Sequence, residues 1–128
     1  MTEKSQDGSI VKRSDEVAGT AVAAGRATEV QVLVGPADGA PNFALRRFTM
    51  GVGGGMPLHT NLVEHEQYVL AGSARVVVGE AEHRVSAGDA LFIPAGVPHS
   101  YSVVEAPFSF LCVVPNVADR IEILDPAC

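Results

Sequence analysis

The chain has 128 residues, 47% of them hydrophobic and 19% charged, with a formal net charge of −6 and a pI near 5.0. That length holds one domain with one core, and the composition is that of a folded globular protein. Nine basic residues in a net-acidic chain do not supply the clustered cations a nucleic-acid partner needs. No apolar run approaches the ~20 residues of a membrane span, and the opening Met1-Thr2-Glu3-Lys4 is not a basic-then-apolar leader. The expectation is a cytoplasmic protein whose partner is a small molecule.

Residues 1–28 are polar and rich in small side chains without a sustained period. They are expected to form an N-terminal arm, with one strand near Ile10-Val11. From residue 29 to 128 short runs rich in Val, Leu, Ile and Phe alternate with Gly and Pro clusters. The runs are Glu29 to Val34, Asn42 to Met50, Leu58 to Thr60, Gln67 to Leu70, Ala74 to Val78, His83 to Val85, Ala90 to Ile93, His99 to Val104 and Phe108 to Val114. The breaks fall at Gly35 to Gly39, Gly51 to Gly55, Ala71-Gly72, Gly79-Glu80, Ala87 to Asp89 and Pro94 to Pro98, where glycine permits positive φ and proline ends pairing. This pattern predicts an all-β barrel or sandwich. The one candidate helix is the tail from Asn116 to Leu124. The Gly51 to Gly55 run is followed by neither a Lys-Ser/Thr pair nor a helix, so it reads as a turn and not a phosphate loop.

Three of the four histidines sit at the edges of these runs. His59 and Asn61 are two apart and share one face of an extended chain. His65 precedes the run at Gln67, and His99 follows the Pro94 to Pro98 turn, whose prolines fix the backbone that aims it. Neutral imidazole is the commonest metal-binding side chain, so a converging set of three is a candidate metal site. His83, between Glu82 and Arg84, reads as a solvated residue. Cys112 lies in an apolar run and reads as a buried small hydrophobe, with Cys128 an exposed terminal thiol.

At these histidines the chain resembles the cupin superfamily. Gly53-x5-His59-x-Asn61-x3-His65-x6-Gly72 lies on the first cupin motif, and Gly88-x5-Pro94-x-Gly96-x2-His99 on the second, with Val103 in place of its Asn. The resemblance implies a cupin barrel, the double-stranded β-helix or jelly roll, assembled as a homodimer. His65 stands where the usual ligand is Glu, as in the subgroup whose metal is held by four histidines, and Asn61 replaces that subgroup's second histidine. The implied ligands of one divalent transition metal ion (Fe, Mn, Ni, Cu or Zn) are therefore His59, His65 and His99, with Asn61 at the fourth position. A register with one more intervening residue would place Glu66 there in place of His65, and Glu64 or Glu66 is a candidate acceptor for the His65 ring N–H.

Alternation along barrel strands makes Gln67, Tyr101, Phe110, Cys112 and one of Arg46 or Arg47 the candidates to line the cavity. A three-imidazole site completed by a neutral amide leaves the charge of the ion uncompensated and favours an anionic or enolisable ligand. The reaction class the resemblance suggests is oxygen-dependent cleavage of an enol or diketone-like compound. The alternative is a binding or sensor module that holds a small ligand without turnover.

Overall fold

The computed structural model describes residues 2–124. Ten strands account for most of it: β1 (Thr2–Lys4), β2 (Ile10–Lys12), β3 (Thr20–Ala21), β4 (Arg26–Val34), β5 (Phe43–Thr60), β6 (His65–Val78), β7 (Ala81–Ser86), β8 (Ala90–Ile93), β9 (His99–Pro115) and β10 (Glu122–Ile123). Two 3-10 turns, Ser14–Glu16 and Pro36–Asp38, are the only helical pieces among the described residues. No described helix is long and apolar enough to cross a membrane.

All strand pairing among the described residues is antiparallel. β3-β4-β5-β9-β6-β7 run in that order, with β8 added to β6 and β10 to β5. The three longest strands build the barrel because each serves it twice. The first half of β9 (Ser100 to Val103) pairs with the second half of β6 (Ala74 to Val77), and its second half (Ser109 to Val113) with the first half of β6 (Glu66 to Ala71). The same inversion relates β9 to β5, where Met56 faces Tyr101 and Phe48 faces Phe110. A strand that crosses from one face of a barrel to the other must bend, and bulges supply the bend.

That bending corrects the sequence-based expectation of turns at Gly51 to Gly55 and Ala71-Gly72. Neither segment ends a strand. The β4–β5 ladder passes from Thr28↔Met50 to Arg26↔Gly55, so residues 51–54 are a bulge within β5. Ala71 and Gly72 lie within β6, where the register against β9 shifts. Gly72 has φ +75°, and a Cβ there would overlap the carbonyl oxygens of Glu105 and Pro107, so the close approach of β6 to β9 requires glycine. His99 to Val104 and Phe108 to Val114 are likewise one strand and not two.

The tail is not helical. It returns along β5, with Glu122 opposite Thr60, Ile123 opposite His59, and Leu124 N–H donating to the Leu58 carbonyl at 2.9 Å. An unpaired strand edge exposes a row of donors and acceptors, and that demand outweighs the weak helical pattern of these residues. At the other end β1 and β2 form a separate hairpin, tied down by Lys12 Nζ to Asp38 Oδ2 at 2.9 Å. Of the segment read as an arm, Thr20–Ala21 and Arg26 onward belong to the large sheet, and Val22 and Ala24 pack on the core.

Burial follows the pleat. From Asn61 to Leu70 every odd-numbered residue is buried and every even-numbered one is exposed, as period-2 side-chain alternation dictates. The inward rows cross three strands: Arg46, Cys112 and Gln67 in one, Phe48, Phe110 and Val69 in the next. The rings of Phe48, Phe110 and Tyr101 stack in sequence, with centroids 5.2 and 5.4 Å apart. They form the wall against which the site is built.

Candidate functional site

Register alone brings two of the histidines together. His59, near the end of β5, lies directly opposite His99, the first residue of β9, and their ring centroids are 4.1 Å apart. His65, the first residue of β6, is in register with Ile93 of β8, and its ring centroid lies 5.7 Å from that of His99. All three are between 1% and 6% exposed. They line a cavity of about 240 Å³ together with Asn61.

Each ring is held in the same manner. Nδ1–H of His59 donates to the Pro57 carbonyl at 2.7 Å, that of His65 to the Val63 carbonyl at 3.1 Å, and that of His99 to the Val97 carbonyl at 3.0 Å. A carbonyl only accepts, so Nδ1 carries a proton in all three, and in the neutral form of each ring the lone pair is on Nε2. No Nε2 atom has a hydrogen-bond partner among the described residues. The acceptor for His65 is thus backbone, not Glu64 or Glu66. Both acidic side chains point outward on exposed even-numbered positions, which places Glu66 away from the site.

Protonation is disfavoured at His99 and His65. Burial pulls His99 from the ordinary 6.5 down to about 4 despite its bond to the Val97 carbonyl, and His59 and His65 beside it act in the same direction. Burial, followed by the charge of Arg46, also lowers His65.

Asn61, 5% exposed, is oriented from the tail: its Nδ2 donates to Asp119 Oδ2 at 2.9 Å. The other carboxylate oxygen of Asp119 accepts from Leu62 N–H at 2.7 Å. Burial pushes the Asp119 carboxyl up, but the hydrogen bonds from Leu62 and Asn61 outweigh it and hold the group below the usual carboxylate range. The amide oxygen of Asn61 is left buried with no hydrogen-bond partner among the described residues.

The remaining candidates line the same cavity. Gln67 Nε2 donates to the Tyr101 hydroxyl at 2.7 Å. Burial pushes the Tyr101 hydroxyl well above its ordinary value, so it stays protonated. Phe110 forms wall, and of the two arginines Arg46 is the inward one. Arg47 turns its Nε to Ser109 Oγ at 3.0 Å. Cys112 is fully buried, and burial raises its thiol, keeping it neutral. Cys128 lies outside the described residues, and His83 is exposed in β7. Sequence reasoning missed Asp119 and Ile121, which close the cavity from the tail, and Met50 and Met56, which wall it. No local motif marks any of them.

Among the described residues no three His, Cys, Asp or Glu side chains are placed so that together they could hold a metal ion. The residue types are nonetheless those a transition metal takes: three imidazoles whose Nε2 atoms are free, each ring fixed through Nδ1, and one buried amide oxygen lacking a donor among the described residues. His59, His65 and His99 would hold such an ion, with Asn61 Oδ1 beside them.

The family model of the cupin domain matches residues 46–114, more than half of the 128, and the chain belongs to that family. It is similar over 91% of its length to the polyketide cyclase RemF from Streptomyces resistomycificus, at 30% identity, covering 87% of that chain with a TM-score of 0.82. It is also similar to a cupin 2 domain-containing protein from Halorhodospira halophila, at 31% identity over 77% of this chain and 71% of that one, with a TM-score of 0.71. A third similar structure, the cupin-2 domain Rru_A2000 from Rhodospirillum rubrum, is 26% identical over 98% of this chain and 84% of its own, with a TM-score of 0.76. No curated protein matches the chain by sequence.

Proposed function

We propose that the chain is a metal-dependent cupin enzyme that binds a small enolisable carbonyl compound in its cavity and promotes loss of the proton next to the carbonyl to solvent water. The observation that carries this reading is the juxtaposition of three Nε2 lone pairs with walls of Phe48, Met50, Met56 and Phe110. Such a cavity takes an apolar body at one side and a donor atom at the other. When bound, a divalent ion would act there as a Lewis acid toward a carbonyl oxygen.

The chain's own groups support the same chemistry. The aromatic and methionine walls surround the site with apolar surface, which strengthens polar interactions inside. Tyr101 stays protonated, accepts from Gln67 Nε2 at 2.7 Å and donates to Gln67 Oε1 at 3.1 Å, and it would exchange the second bond for one to a developing oxyanion. Asn61 and the tail residues Asp119 and Ile121 flank the histidines and limit what enters. An enolate can attack a second carbonyl and close a ring, or react with dioxygen. The 30% identity to a polyketide cyclase favours ring closure, because polyketides are themselves enolisable carbonyl compounds.

The test is deuterium exchange at the central carbon of 1-phenylbutane-1,3-dione in D2O, followed by NMR with protein supplied with Zn²⁺, in air and without oxygen. The expected result is exchange faster than with Zn²⁺ alone or with chelated protein, at equal rates in both atmospheres and without oxygen uptake. Exchange no faster than these controls would overturn the enzyme reading and leave a ligand-binding module.

A further inference from the structure

We infer that Arg46 is the recognition element for a carboxylate, so that the compound the cavity takes is a small acid with an apolar body. This deepens the reading given under Proposed function by naming the charged group of the ligand.

Arg46 lies within β5, in the inward row that continues through Cys112 and Gln67, and it lines the cavity that holds the three histidines. A guanidinium is charged at every accessible pH and brings five N–H donors. Here its partners are poor. One Nη2 lies 3.4 Å from Cys112 Sγ, a weak and neutral acceptor, and the guanidinium carbon stands 5.0 Å from the centre of the Phe48 ring. Its Nε is buried and has no hydrogen-bond partner among the described residues. Among the described residues no carboxylate pairs with it.

The one acidic residue lining the cavity among the described residues, Asp119, is engaged with Asn61 and with Leu62 N–H. Withdrawing a cation from water without a counter-charge is unfavourable, and stacking on Phe48 offsets only part of that cost. The three imidazoles add no negative charge. An incoming carboxylate would restore the balance, and its two oxygens fit the guanidinium fork in a bidentate pair. The stacked Phe48, Phe110 and Tyr101 rings beside the fork suit an aromatic or similarly flat body, and about 240 Å³ limits it to a small one.

Calorimetric titration with benzoate and with its neutral analogue benzamide tests this, using the full chain as purified and again after dialysis against EDTA. The wild type is expected to bind benzoate at one site per chain, at least tenfold more tightly than benzamide, in both preparations. Arg46→Met should erase the preference, and Arg46→Lys, which keeps the charge but loses the fork, should retain a smaller one. Equal binding of the two probes by the wild type, or no binding of benzoate, would overturn the inference whether or not the variants fold. A benzoate preference that disappears on EDTA dialysis would also overturn it, since the anion would then sit on a bound metal ion, a result that leaves the metal reading standing.

Discussion

Asp119 Oδ2 accepts a hydrogen bond of 2.9 Å from Asn61 Nδ2, which turns the buried amide oxygen of Asn61, without a partner among the described residues, to the opposite side of the amide. The tail thereby controls the fourth candidate donor of the site, although 58 residues separate the two in sequence. Partners that orient a metal ligand commonly matter to affinity nearly as much as the ligand itself.

If Asp119 holds Asn61 in place, Asp119→Ala should weaken Zn²⁺ binding about tenfold, read by competition with a fluorescent chelator. Asn61→His should do the reverse, because imidazole is the better ligand for a transition metal. Thermal melts in EDTA separate any loss of folding from loss of metal. Unchanged Zn²⁺ affinity in both variants would show that the amide oxygen faces no ion.

Stability of the metal-free protein should depend on pH through His99. Its folded value is about 4 against the ordinary 6.5, so between these values the unfolded chain takes up a proton that the folded chain refuses. Stability is therefore complete above pH 6.5 and falls as the pH drops toward 4, with His99 contributing a loss of up to about 3 kcal/mol; lowered His65 acts in the same direction. Urea midpoints of EDTA-treated protein at pH 7.5, 5.5 and 4.5 check this, with His99→Asn expected to flatten the profile. A wild-type profile flat from pH 7.5 to 4.5 would refute it.

Much of the fold was legible because local signals are strong where strands are short and side chains alternate. The run Ala90 to Ile93 matches β8, and Gly79-Glu80 and Pro94 to Pro98 are turns as expected. What failed was telling a turn from a bend. Gly53 and Gly72 take positive φ in either case, and only the partner strand decides whether pairing continues past them.

The same limit applies to the site. Spacing groups His59 with Asn61, but the opposition of His59 to His99 is a matter of β5–β9 register, which no local pattern encodes. The choice between Arg46 and Arg47 required knowing which face of β5 is inward. Asp119 and Ile121 reach the cavity only because the tail pairs with β5, a long-range contact unmarked in the tail's own residues.

The most direct measurement is an anomalous-scattering map from crystals of the wild-type protein grown with Zn²⁺. One peak per chain is expected in the cavity, about 2.0–2.1 Å from each of the Nε2 atoms of His59, His65 and His99, with every Nδ1 still bonded to its carbonyl. A cavity without a peak, or a peak held by other residues, would contradict the proposed metal centre.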